Sequence, residues 1–175
     1  AVFQVCPPSE VDGGEPATGA WADESLPAGA TLGEVAGLDA QEILDLWIRV
    51  YTWVHAGWSP LEDEVAAREI FGPMLAEDLA PELSVLILRD GIPTAVALSF
   101  REPEGPVCVV TEAVDPDAPS ALEDVGAAMR AAVRRTADAG EPMFFDGHVS
   151  DPHYPRVLET IPHVTGAGLH LLPFT

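Results

Sequence analysis

From Asp39 onward apolar residues recur with helical spacing at Ile43, Leu44, Trp47, Val50, Tyr51 and Val54, as far as Gly57. Asp39 followed by Glu42 has the form of a capping box, which fixes where this helix starts. The pair Ser59-Pro60, with Glu62 three residues after the serine, predicts a second helix through Leu61, Val65 and Ile70 to about Phe71. The pattern then changes to short aliphatic runs. Residues 84–89 and 94–100 flank Asp90-Gly91, a turn pair that predicts an antiparallel hairpin whose second arm Pro93 shortens. Beyond a polar connection, Val107, Val109, Val110, Thr111 and Val114 make a β-branched strand that continues the meander. Ser120 and Glu123 have capping-box spacing, and Leu122, Val125, Met129, Ala132, Val133 and Thr136 trace a helix that Gly140 stops. Its second half carries Arg130, Arg134 and Arg135, where positive charge complements the helix dipole. Met143-Phe144-Phe145 reads as a strand, and a helical crossover sets it parallel to the strand from Val107. Asp151-Pro152 predicts a short helix through Arg156, Val157, Leu158 and Ile161, and residues 164–174 offer a last strand.

Residues 1–33 break this order. They are rich in Pro, Gly, Ala and acid, no Arg occurs before Arg49, and only Val2–Val5 has strand character, with Trp21 as a large apolar anchor. The expected division is an acidic N-terminal arm, 1–33, and a domain, 34–175. The expected architecture is α+β (of the α/β group). Two helices come first, then a mixed central sheet in which an antiparallel meander is followed by a parallel pair, flanked by helices. There is no internal repeat.

Composition sharpens this picture. A chain of 175 residues, 47% hydrophobic, buries a core without staples, and no apolar run has membrane-spanning length. Cys6 and Cys108 give no disulfide framework, and no secretory segment is recognisable, so a cytoplasmic location is expected. Eight basic residues, all arginine, face 29 acidic ones, a net charge of −21. Such a field repels polyanions, which argues against nucleic acid as a partner, and it draws in small cations.

The join between the strand from Val107 and the helix after it resembles the cofactor-binding centre of the GNAT N-acetyltransferase superfamily. Val114-Asp115-Pro116 is similar to that family's strand end, and Val125-Gly126-Ala127-Ala128-Met129 is similar to the helix start after its glycine-rich loop. The order of elements from Leu38 to Phe174 agrees. The resemblance implies an acyl-CoA-dependent N-acyltransferase with acetyl-CoA as donor and a small cationic amine as acceptor. It implies a parallel pair splayed at the cofactor cleft, with Glu112, Ala113 and Val114 along the pantetheine arm. The amides from Ala121 to Gly126, with Val125 and Ala127 beside them, would then face the pyrophosphate. Glu112 takes the place of the base and Tyr154 that of the acid, although strict alignment of the last helix puts Leu158 there. Tyr51, Trp53, His55 and Trp58 fall where the family shapes its acceptor pocket. The loop after Pro116 is about two residues longer than the family pattern, and Asp115, Asp117, Glu123 and Asp124 place negative charge where phosphate would lie. The alternative implied by those carboxylates is a GNAT-fold domain without cofactor, serving a structural or ligand-binding role or forming a homodimer. Asp146, His148, Asp151 and His153 are ligand types, but their spacing matches no metal motif, and no metal is expected.

Overall fold

The computed structural model describes residues 2–5, 25–101, 103, 105–148, 150–161 and 164–165, the first and last of these segments by their backbone. The described elements are β1 (Val2–Val5), β2 (Ala30–Glu34), α1 (Ala40–Val54), α2 (Glu64–Asp78), β3 (Val85–Arg89), β4 (Ile92–Phe100), β5 (Val107–Ala113), α3 (Ala121–Asp138), β6 (Met143–Asp146), α4 (Tyr154–Leu158) and β7 (Val164–Thr165). One sheet takes all the strands in the order β2-β3-β4-β5-β6-β1-β7. Every pairing is antiparallel except that of β5 with β6, which α3 connects. The meander followed by a parallel pair is the expected architecture.

Local chemistry accounts for the boundaries. Asp39 accepts hydrogen bonds from the Gln41 and Glu42 amides, and Glu42 reaches back to the Asp39 amide at 2.8 Å, so the capping box of α1 is complete. Asp90 and Gly91 both have positive φ, 51° and 79°, which the tight turn between β3 and β4 requires. At the far end of α3 the Gly140 amide bonds to the Ala137 carbonyl and the Glu141 amide to that of Thr136, with Gly140 at φ 71°. This is a Schellman stop.

Several expectations change. Strands precede the helices: β2 pairs with β3 from Ala30↔Arg89 to Glu34↔Val85, and β1 pairs with both β6 and β7. The sheet therefore draws strands from both sides of residue 33, and the final strand joins it through β1. Helix α2 is capped by Asp63, which accepts from the Val65 and Ala66 amides, while Ser59 closes the turn after α1 by donating its amide to the His55 carbonyl. It then runs through Pro73 to Asp78. Val65 and Ile70, which suggested its inner face, are exposed. A further change, at the start of α3, belongs to the site. Of the expected last strand, residues 166–174 lie outside the described residues, as does Trp21.

Alternation along the strands builds two cores. Val85, Ile87, Ala95, Ala97, Val107 and Val109 meet α3, whose contact side is mostly alanine with Val125 and Met129. Small side chains let this helix lie close to the sheet. Leu86, Val96, Leu98 and Phe100 face the other way, onto Val50 and Leu75 and the α1–α2 pair. Trp47 organises that second core, with Phe100 and Phe71 edge-on at 5.5 and 5.9 Å.

Candidate functional site

β5 and β6 pair only from Val107↔Met143 to Val110↔Asp146. β5 runs on to Ala113 while β6 ends, so the two strands part on the edge beside Thr111–Ala113. The Val114 amide donates to Thr94 on β4 at 2.9 Å, and the two-residue alternation therefore turns the amide and carbonyl of Ala113 and Thr111 toward the opening. One of these groups is already engaged: the Trp53 indole Nε1–H donates to the Ala113 carbonyl at 3.0 Å. The end of α1 thus leans over the opening. Farther along, His153 Nε2–H donates to the Pro116 carbonyl at 2.8 Å and ties the loop to the start of α4.

The mouth of α3 differs from its sequence pattern. Ser120 makes no side-chain cap; its hydroxyl donates to Asp124 at 2.8 Å instead. The Ala121 amide bonds to the Ala118 carbonyl at 3.0 Å, while those of Leu122 and Glu123 are left uncapped by a side chain, as an anion site needs. The segment Val125–Met129, similar to a helix start in the family pattern, lies one turn inside α3. Val125 and Ala127 are buried against the sheet, and Ala121 is the first helical residue. The carboxylates at this mouth are not four equivalent charges. Asp124 is 0% exposed and takes three hydrogen bonds of 2.8 to 3.2 Å from Nε and Nη2 of Arg89. Burial alone would raise its pKa, and the bonds from Arg89, Ser120 and Thr94 more than offset that, so the carboxyl is held below its ordinary range. Asp115 turns back to accept the Asp117 amide at 3.1 Å, and Glu123 lies 3.9 Å from Arg89.

Beside this mouth a cavity of about 570 Å³ opens between α3, α4 and residues 25–28. Gly126, Arg130 and Arg156 line it, with Glu123 as the carboxylate on its wall. Gly126 permits the close approach: a Cβ there would stand 3.7 Å from Val157 and 3.2 Å from Arg130 Nη1. A helix start free of a side-chain cap, next to two guanidiniums, fits a diphosphate.

A second cavity of about 140 Å³ lies on the opposite face of the sheet, between α1 and the ends of β5 and β6. Trp47, Val50, Tyr51, Val54 and His55 form its helical wall, and Val110, Glu112, Asp146, Gly147 and His148 its strand wall. Glu112 is 2% exposed, and its carboxyl lies within hydrogen-bonding reach of that of Asp151. Burial, then the Asp151 and Asp146 carboxyls, pushes its pKa well above the ordinary value. His55 stacks on Tyr51 at 3.7 Å, and its Nδ1 lies 3.0 Å from the Tyr51 carbonyl. A carbonyl only accepts, so Nδ1 carries the hydrogen and Nε2 the lone pair. Burial lowers the pKa of both His55 and His148, whose rings stand 5.1 Å apart.

Tyr154 is the first residue of α4, fully buried, its ring edge-on to Phe145 at 6.5 Å. The helix starts two residues later than Asp151-Pro152 suggested, although Asp151 accepts the amides of both His153 and Tyr154 as a capping residue does. Burial, with Asp146 and Glu112 nearby, raises the Tyr154 pKa. Gly147 makes room for it, since a Cβ there would lie 2.5 Å from the ring. The structure thus gathers Glu112 and Tyr154 at the end of the parallel pair, with Ala113 and Val114 alongside, and puts Gly126 across the sheet next to the larger cavity. Among the described residues no group of three or more His, Cys, Asp or Glu is placed to hold a metal. Tyr51 and His55 enter the smaller cavity, whereas Trp53 and Trp58 line a neighbouring one with Pro116 and Asp151. Sequence reasoning missed Arg89, and it gave Asp146 and Arg156 no part in substrate or cofactor binding; only tertiary pairing brings Arg89 to Asp124.

No family model and no curated protein matches the sequence. Among solved structures the chain is similar to the crystal structure of a GCN5-related N-acetyltransferase from Sphaerobacter thermophilus, with a TM-score of 0.61 and 15% identity. The match covers 94% of this chain and 47% of that one, so the chain spans about half the length of that protein. The strand order, the parallel pair and the crossover helix agree with this likeness, and the chain has the GNAT N-acetyltransferase fold.

Proposed function

We propose that this chain is an acyl-CoA-dependent N-acyltransferase, with acetyl-CoA as donor and a small amine as acceptor. The observation that carries the reading is the mouth of α3, where Arg89 neutralises Asp124 while Ser120 turns away from the helix amides and Arg130 and Arg156 flank Gly126. Those features suit a diphosphate, and they answer the objection that acidic residues block the site.

Acetyl-CoA supplies its acyl group as a thioester. The Leu122 and Glu123 amides at the start of α3, with Arg130 and Arg156, would hold the negative end of the donor, and the backbone of Thr111–Ala113 would orient its pantetheine arm. Glu112 accepts the proton that the amine sheds in becoming an amide. Its raised pKa brings it closer to the range a base needs at neutral pH than an ordinary carboxylate would be. Tyr154, neutral across the working range, gives its proton to the departing thiolate. Burial of both groups keeps bulk water out of the exchange.

The test is release of free thiol from acetyl-CoA when mixed primary amines are added. Amine-dependent release that Glu112→Gln reduces by about 10²- to 10⁴-fold is the expected result. Release that ignores the amine would contradict acyl transfer to nitrogen, and release that the variant leaves unchanged would remove Glu112 from the reaction.

A further inference from the structure

Glu112 does not stand alone at the end of the parallel pair. Asp151, just before α4, sets a second buried carboxyl against it, 8% exposed where Glu112 is 2%. The two side chains lie within hydrogen-bonding reach, and no N–H or O–H of any other described residue donates to Glu112 Oε2 or Asp151 Oδ2. Two carboxyls in contact away from water do not both ionise, so the pair holds one proton between them. Asp151 Oδ1 already accepts the His153 and Tyr154 amides, which favours Asp151 as the charged member and leaves the proton on Glu112. The pair also joins two cavities. Glu112 lines the smaller one under α1, and Asp151 lines the neighbouring one, of about 330 Å³, with Trp53, Trp58 and Pro116.

We propose that Asp151 is the positioning residue for Glu112, and that the two carboxyls form a one-proton relay from the smaller cavity to the neighbouring one. The inference deepens the acyltransferase reading and rests on it for the source of the proton. A carboxyl that already holds a proton accepts a second only by passing the first on. As the amine nitrogen bonds to the thioester carbonyl carbon, its N–H bond breaks and the proton joins Glu112 Oε1. The Oε2–H bond breaks in the same exchange, and that proton joins Asp151 Oδ2. Glu112 is neutral before and after, and the negative charge of Asp151 is cancelled. Asp151 then releases the proton into the cavity it lines, and the amine cavity need not open to water. The other titratable groups around the pair are Asp146 on β6, His148 after it, Tyr154 on α4, and Tyr51 and His55 on α1. Asp146 is exposed and stays hydrated, so it does not compete for the shared proton. His153, beside Asp151, is committed through Nε2–H to the Pro116 carbonyl.

The experiment reads the proton itself. Infrared spectra of the whole chain are recorded at neutral pH, without acetyl-CoA or amine, for the parent, Asp151→Asn and Glu112→Gln. Asparagine keeps an oxygen for the two amides and offers Glu112 an N–H donor where the parent has an acceptor. The parent should show the C=O band of a protonated buried carboxyl, and each variant should lack it. A band that survives Asp151→Asn means that burial alone protonates Glu112 and overturns the proposal, as does the absence of the band from the parent. A measurement on the parent needs no variant to fold: carbon-13 carboxyl resonances of Glu112 and Asp151 should titrate together in the same two steps, and independent titration overturns the pair. With acetyl-CoA and amine, Asp151→Asn should lower kcat by about 10²-fold and leave KM for acetyl-CoA unchanged. The two readings fail separately. A shared proton in a chain that transfers no acyl group removes the acyltransferase and leaves the pair, whereas acyl transfer that Asp151→Asn leaves unchanged removes the relay and leaves the acyltransferase.

Discussion

At the scale of single residues, Glu112 carries opposite consequences for stability and activity. Its folded pKa lies above the unfolded value, so its contribution to stability is fully present below the unfolded carboxylate pKa and is lost as pH rises through the folded one. Between those two values stability falls by about 1.4 kcal/mol per pH unit, and above the folded value it stays level. Glu112→Gln is expected to melt higher than the parent in alkaline buffer and to match it near pH 4, while acyl transfer falls; equal melting at pH 9 would contradict the burial argument. His55 and His148 act in the other direction. Their folded pKa values are depressed, so the stability they allow is present above the unfolded histidine value and declines as pH falls below it. Protonating either ring would also place a cation beside the other imidazole and near Glu112 and Asp146. Arg89 bears on stability as well as on the mouth of α3. Arg89→Met would leave the Asp124 carboxylate buried and unpaired, and urea unfolding should show a loss of about 3 kcal/mol.

Among elements, α3 links packing to binding. Gly126→Ala replaces a helix-interior glycine where the added Cβ meets Val157 at ordinary contact distance and crowds the flexible end of Arg130. The expected result is a gain of about 0.5–1 kcal/mol in stability with weaker acetyl-CoA binding, because the guanidinium must move. Gly147→Ala has no such outlet. The Tyr154 ring is fully buried, so the methyl group should cost about 1–3 kcal/mol in thermal or urea unfolding. The elements that the sequence disclosed were those whose own residues decide them. These are α1 with its complete capping box, the Asp90-Gly91 hairpin, the β-branched β5 and the Gly140 stop. The ones it concealed depend on partners. β2 has the sequence Ala-Thr-Leu-Gly-Glu, which carries little strand character until β3 pairs with it. Ser120 and Glu123 satisfied the spacing of a capping box, yet the serine hydroxyl was drawn to Asp124, a contact whose geometry Arg89 fixes from 35 residues away. The acidic mouth of α3 was only partly legible for the same reason. Sequence shows that carboxylates are near, but not which one is buried and neutralised.

At the scale of the whole molecule, a net charge of −21 should act on the two proposed substrates with opposite sign. Added salt screens the repulsion of an anionic coenzyme and the attraction of a cationic amine. KM for acetyl-CoA should therefore fall between low and physiological ionic strength while KM for the amine rises, and parallel changes would show that local arginines, not the overall field, govern entry. Fold alone does not confer activity. What separates an enzyme from an inert relative here is whether a diphosphate is held between the first turn of α3, Arg130 and Arg156. The direct measurement is the melting temperature of the whole chain with and without saturating acetyl-CoA. At about one hundred times the dissociation constant, binding should add roughly 2.7 kcal/mol, a rise of about 5–10 °C for a chain of this size, and Arg130→Ala with Arg156→Ala should remove most of it. A melting curve that does not move at millimolar acetyl-CoA would contradict the account.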